Sequence, residues 1–188
     1  MRYLFTDEDR ALSERLAAAR FEEWNGRTRS GDYVDTIGRH YVGVCGEVAL
    51  SKWLTSLNVD NYDDDAYGTS WDRLTESFAF EIKTRQAAYH DRYGFAVHAG
   101  TVESFGRRVQ RKRQAVVAAR FEGYSTADAR YCLAVTLTSW ATRRDVEEAR
   151  REWTTSTDSD NACHVVDEPR EISHLEAFLR RYDAAEVA

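Results

Sequence analysis

Apolar residues recur at three- and four-residue spacing over two stretches in the first third of the chain, the period of a helix with one buried face. The first helix is expected to start after Thr6, whose hydroxyl can cap it. Asp7, Glu8 and Asp9 complement the helix dipole there. It runs to about Trp24, with Leu12, Leu16 and Ala19 on the buried stripe. The segment from Asn25 to Asp35 holds two glycines and several polar residues and reads as a loop. A second helix spans Thr36 to Leu57, where Ile37, Tyr41, Val44, Cys45, Val48, Ala49, Trp53 and Leu57 make a broad apolar face. Gly38, Gly43 and Gly46 lower its helix propensity, and close approach of another backbone is their compensating use.

Beyond an acidic, irregular stretch from Asn58 to Ser70, the period falls to two. Phe78, Phe80 and Ile82 alternate with Ala79, Glu81 and Lys83, the signature of a strand. A strand at about Trp71–Glu76 lies near enough to form a hairpin with it. A third strand fits Tyr93–Ala99, a basic helix Arg107–Phe121, an apolar strand Tyr131–Thr138 and a helix Arg143–Trp153. After a loop at Thr154–Ala162, a short strand at His164–Val166 and a helix from Glu171 to Tyr182 complete the chain. No repeat or linker divides it, so residues 1–188 are expected as a single domain. Its expected class is α/β, a mixed central sheet flanked by helices, with helical additions at both ends.

The longest apolar runs are only a few residues, too short to span a bilayer, so no membrane association is expected. The start turns acidic at Asp7, leaving no apolar core for a signal peptide, which points to the cytoplasm. Cys45, Cys132 and Cys163 are too few and too scattered for a zinc knuckle or a disulfide framework. A net charge of −6 argues against a protein that simply coats DNA. Only Lys52, Lys83 and Lys112 of the 26 cationic residues are lysines, which suits either a salt-rich cytoplasm or a GC-rich genome. The five histidines show no metal-binding spacing. The chain also has no phosphate-cradling glycine loop, Gly-x-Ser-x-Gly or Cys-x-x-Cys, which argues against ATP-driven and serine-hydrolase chemistry.

In Glu81-Ile82-Lys83 the outer side chains project from one face of the strand. Asp72 lies nine residues before Glu81, and a hairpin would bring the two carboxylates alongside. Two carboxylates repel unless a cation sits between them, and a hard divalent ion such as Mg²⁺ prefers oxygen ligands of this kind. Lys83 would then stand beside the attacking water and the attacked phosphate. The bland alternative is a surface strand whose Glu81 and Lys83 point to solvent.

This stretch resembles the PD-(D/E)xK nuclease superfamily, in which an acid at the start of one strand precedes (D/E)-x-K at the end of the next. Asp72, Glu81 and Lys83 match those positions, and the apolar Phe78-Ala79-Phe80 run leads into them. Gly46-Glu47-Val48-Ala49 matches the Gly-Glu-x-Ala setting of a helical glutamate that reaches the metal in many members. Gln86 stands where some members place a polar residue close to substrate or metal. The resemblance covers roughly residues 37–138, and it departs from the pattern in having Trp71 where a proline often precedes the first acid. Asp60, Asp63, Asp64 and Asp65 are alternatives to Asp72, which is preferred because it adjoins the hairpin.

The resemblance implies a restriction-endonuclease-like fold and an endonuclease that hydrolyses DNA with Mg²⁺ or Mn²⁺. Asp72, Glu81, the Ile82 carbonyl and Glu47 would hold metal, Lys83 would act on the attacking water, and Gln86 would assist. The cationic cluster Arg107, Arg108, Arg111, Lys112 and Arg113 is the expected DNA contact. Restriction or defence enzymes and structure-selective repair or junction (Holliday-junction-type) resolvases are the main subclasses. A junction enzyme would be a homodimer, since two strands need two sites. A non-catalytic nucleic-acid-binding module on the same fold, and an unrelated acidic α/β protein carrying the motif by chance, are the rival readings.

Overall fold

A computed structural model describes residues 1–25, 37–62, 72–98, 102, 113–126, 128–153 and 162–183. In chain order its elements are β1 (Arg2–Leu4), α1 (Asp7–Asn25), α2 (Ile37–Ser56), β2 (Arg73–Leu74), β3 (Phe78–Gln86), α3 (Ala87–Tyr93) and β4 (Ala96–His98). They continue as β5 (Arg113–Ser125), β6 (Arg130–Thr142), α4 (Arg143–Glu148), β7 (Arg150–Trp153), β8 (Ala162–Val165), β9 (Arg170–Glu171) and α5 (Ile172–Asp183). A mixed sheet in the order β1-β6-β5-β3-β2 is flanked by helices, with β9 also on β6. Its centre is the parallel β3–β5 pair, and β5–β6 and β2–β3 are antiparallel. A second sheet has the order β4-β8-β7. No helix among the described residues is long and apolar enough to cross a membrane.

Both faces of the central strands are covered. On one, Tyr41, Val44, Cys45, Val48 and Trp53 of α2 pack with Phe78, Phe80, Val117, Phe121 and Leu137. On the other, Ala79, Val116, Ala118 and Ala141 pack with Leu74, Phe95, Val97 and Val146. A strand buried on both faces loses the polar alternation that would identify it. This is why the helix expected over Arg107–Phe121 is wrong from Arg113 onward: Ala115 to Ala119 is one continuous apolar run inside β5. Arg107, Arg108, Arg111 and Lys112 lie outside the described residues, as do Asp63, Asp64 and Asp65.

Three further expectations need correcting. The buried stripe of α1 is Asp9, Ser13 and Ala17, whereas Leu12, Leu16 and Ala19 are exposed. Small residues let α1 approach α2 closely, and Asp9 enters the interface through an ion pair with Lys52 at 2.5 Å. The strand found at Ala96–His98 belongs to the second sheet, where it pairs with β8. The helix starting at Arg143 ends at Glu148, and the chain turns extended at Ala149 to enter β7. A capping box between Thr142 and Asp145 fixes its start.

The α2 glycines divide by position. A Cβ on Gly46 would overlap the Thr84 hydroxyl, so a helix–strand approach requires glycine there, while Gly43 faces open space.

Candidate active site

A tight connection sets the hairpin that carries the motif. Thr75 donates its backbone N–H to the Phe78 carbonyl at 2.9 Å, and its hydroxyl accepts the Phe78 N–H at 3.0 Å. The resulting register pairs Leu74 with Ala79 and Arg73 with Phe80, and Asp72 follows directly beyond the end of β2, beside the Phe80–Ile82 stretch of β3. The Asp72 N–H donates to the Phe80 carbonyl at 2.8 Å, and its Oδ2 accepts the Ile82 N–H at 2.7 Å. Because the N–H and C=O of one strand residue point to the same side, the Ile82 carbonyl faces the Asp72 side as well.

Strand alternation places Lys83 on the same face as Glu81, and the two form an ion pair. Glu81 is only 5% exposed, and its Oε2 is buried without a hydrogen-bond partner. An orphaned carboxylate oxygen at this depth is costly, which marks it as a place for a ligand or a proton. Glu47 projects from α2, is 6% exposed, and is gripped by both terminal nitrogens of Arg20 at 2.6 and 2.8 Å. Arg20 had no motif to announce it. The available signal was that an acid on a buried helix requires a partner, and α1 is the element packed against α2.

These charges perturb one another. Burial, followed by the Glu81 and Glu47 carboxylates, raises the Asp72 pKa well above the ordinary range, against the pull of Lys83 and the Ile82 N–H. Burial also raises Glu81; Lys83 offsets part of that shift and Glu47 adds to it. Burial alone would lower the Lys83 pKa, but Glu81, Asp72 and Glu47 outweigh it and the net shift is upward. Each of the three groups therefore titrates above its ordinary range.

Asp72, Glu81, Lys83, Ile82 and Glu47 are brought together. Gln86 is not: its side chain donates to the Ser125 carbonyl at 3.4 Å, and alternation puts it on the opposite strand face. The residue that shares the Glu81 face is Arg85, which donates to the Ala96 carbonyl at 3.0 Å. Arg113 sits at the far end of the pair, beside Phe78, with its guanidinium 6.0 Å from that ring's centre. Asp60 is exposed, two residues before Tyr62, whose backbone bridges Leu74.

Among the described residues, no group of three or more His, Cys, Asp or Glu side chains is arranged as a metal cage. The chemistry of the donors nevertheless fits a hard divalent ion: Asp72 and Glu81 are oxygen ligands whose mutual repulsion a cation would relieve. The unpartnered Glu81 Oε2 supplies a free acceptor. Arg20 and Lys83 place positive charge beside Glu47 and Glu81.

No family model matches the chain, and neither a curated protein nor a solved structure matches it.

Proposed function

We propose that this chain is a PD-(D/E)xK-type nuclease that hydrolyses DNA phosphodiester bonds with Mg²⁺ or Mn²⁺. The observation that carries the reading is Asp72 bonded to the Ile82 N–H at the end of the β2–β3 hairpin, close enough to Glu81 for the two carboxyls to perturb each other, with Lys83 on the Glu81 face. Chance occurrence of an acid and Glu-x-Lys in a sequence does not require the two carboxyls to meet at the end of one hairpin. The proposed restriction-endonuclease-like fold is supported by the order α2, β2, β3 and by the Glu47 position on the helix beside the hairpin. Beyond β3 the path runs through α3 and β4 before the parallel return in β5.

Asp72, Glu81 and the Ile82 carbonyl would hold the ion, with Glu47 joining once Arg20 releases it. When bound, the ion would neutralise these acids and polarise the scissile phosphate. Lys83 is held as an ammonium by the surrounding acids, and it faces developing charge on the attacked phosphate. Water attacks phosphorus, a P–O bond to it forms, the bond to the 3′ oxygen breaks, and the water proton leaves to solvent. The Asp72–Ile82 hydrogen bond holds the hairpin edge in register during this step.

A second reading is a non-catalytic nucleic-acid-binding module. It is favoured by the ion pairs of Arg20 with Glu47 and of Lys83 with Glu81, which satisfy two of the acids from within the chain. Incubating the protein with supercoiled, linear, branched and single-stranded DNA in Mg²⁺, Mn²⁺ or EDTA separates the two. Metal-dependent cleavage of any form supports the nuclease, and the form cut assigns the restriction, defence or junction subclass. Binding without cleavage of every form in both metals would replace it with the second reading.

A further inference from the structure

Helix α3 follows β3 directly, and its polar contacts seat it on the sheet face that carries Lys83. The register fixes that face. Lys83 pairs with Ala118 and Arg85 with Arg120, so the Arg120 side chain stands on the same side as Glu81, Lys83 and Arg85. Asp91 of α3 accepts from Arg120 at 3.0 and 3.2 Å, and the His90 Nε2 meets the Thr138 hydroxyl at 3.0 Å. No residue of α3 is buried. Its two tyrosines therefore do not serve the core.

Those tyrosines are arranged on the solvent side. Tyr89 is 58% exposed. Its ring centre lies 6.3 Å from that of Tyr93, one turn on, and the two planes are only 14° apart. Arg92 is exposed beside them, with its guanidinium 5.1 Å from the centre of the Tyr93 ring. Among the described residues Arg92 has no carboxylate partner, and the neighbouring Asp91 is engaged by Arg120. Near-parallel rings open to water, next to an unpaired cation, are what a base and its adjoining phosphate require. The place is apt as well. Three strand residues and one helical turn separate Lys83 from Tyr89, roughly 15 Å along the chain at most.

We propose that Tyr89, Arg92 and Tyr93 form a stacking platform for the unpaired bases of single-stranded DNA. The open face of Tyr89 takes a base, Arg92 takes the adjoining phosphate, and the strand runs along the sheet face toward Lys83. Duplex DNA does not fit this chemistry, because its bases already cover one another's faces. That the platform serves the candidate active site rests on the nuclease reading, and it makes the substrate a single strand, or a duplex frayed or branched near the cut.

The test is fluorescence anisotropy of a labelled oligothymidylate of about 20 nucleotides, and of a blunt duplex of the same length, titrated with the full chain. EDTA and low salt are used, so that metal-dependent cleavage does not intervene. The single strand is expected to bind at least about five-fold more tightly than the duplex. Tyr89→Ala is expected to weaken it by at least about five-fold, whereas Tyr89→Phe keeps the ring and stays within about two-fold of wild type. Arg92→Gln is expected to lower the slope of log affinity against log salt by about 0.7. Circular dichroism confirms that each variant is folded. Duplex binding as tight as single-strand binding, wild-type affinity in Tyr89→Ala, Tyr89→Phe as weak as Tyr89→Ala, or no single-strand binding at about 0.1 mM protein would each overturn the platform. Cleavage in Mg²⁺ keeps the two readings apart. Plasmid cleavage without single-strand binding refutes the platform alone, and single-strand binding without cleavage of any DNA refutes the nuclease alone.

Discussion

Replacing Asp72 with asparagine is expected to make the metal-free protein more stable even as it removes function. Asparagine keeps the shape and an oxygen that accepts the Ile82 N–H now bonded at 2.7 Å. What it removes is a charge whose environment raises the Asp72 pKa through burial and the Glu81 and Glu47 carboxylates. Asp72 and Glu81 interact across the end of the hairpin, where facing side chains stand on the order of 5 Å apart. At that separation and an effective dielectric of about 20, two unit charges repel by roughly 3 kcal/mol. Lost attraction to Lys83 offsets part of this. The hydrogen bond to Ile82, changed from charged to neutral, offsets about 1 kcal/mol more. A net gain of about 1–2 kcal/mol remains, equivalent to a Tm rise of about 2–8 °C for a chain of this size.

The sign with pH follows from linkage. A carboxyl whose pKa is higher folded than unfolded binds its proton more tightly in the native state. Wild-type stability therefore falls as pH rises from the unfolded pKa, about 3.9, through the raised folded one. Asp72→Asn lacks that loss, so its advantage is small in acid and grows toward alkaline pH. Thermal unfolding followed by circular dichroism in EDTA at several pH values reads this directly. A variant less stable than wild type at pH 8, or an advantage that does not change with pH, would refute the electrostatic account of the site.

Other outcomes follow from the same contacts. Lys83→Met is expected to cost about 1–2 kcal/mol in urea denaturation at pH 7, a discounted figure because the lysine is partly exposed. The loss should shrink in acid, where Glu81 takes up a proton. Arg20→Met removes both bonds to Glu47 and should destabilise the metal-free protein by about 1–3 kcal/mol. Added Mg²⁺ should restore more of its Tm than it adds to wild type, since Glu47 then lacks its cation. Gly46→Ala is expected to destabilise by about 1–3 kcal/mol through overlap with Thr84. Gly43→Ala, into open space, should stabilise by about 0.5–1 kcal/mol, and equal effects of the two in chemical denaturation would contradict the packing. Divalent metal affinity measured by calorimetry should rise with pH, because burial raises the pKa of both Asp72 and Glu81 and a metal needs them as carboxylates.

The parts of the fold that showed in the sequence are those whose apolar positions keep a clear period. The alternation from Phe78 to Lys83 identified β3 and put Glu81 beside Lys83, and the nine-residue gap brought Asp72 into range. Helix α2 was legible from its apolar positions, and Glu47 stood out because an acid there has no solvent to face. Strand β5 was hidden because Ala115 to Ala119 is covered on both faces, leaving no alternation. The cationic lead-in then suggested a helix that does not exist from Arg113 on. In α1, hydrophobicity pointed to Leu12 and Leu16, whereas tight helix packing selects the small Ser13 and Ala17. Long-range choices had no local signal at all. Nothing near Ala96 says that it pairs with Val165, and nothing near Arg20 says that it meets Glu47.

The most direct test of the central claim is conversion of supercoiled plasmid to nicked or linear form by wild type and by a Lys83→Ala variant verified as folded. Both are assayed in Mg²⁺, Mn²⁺ and EDTA from low to molar salt. Cleavage by wild type that requires metal and is lost in the variant is the predicted result. Cleavage that persists in EDTA, or that the variant retains at the wild-type rate, would contradict the assignment of this site.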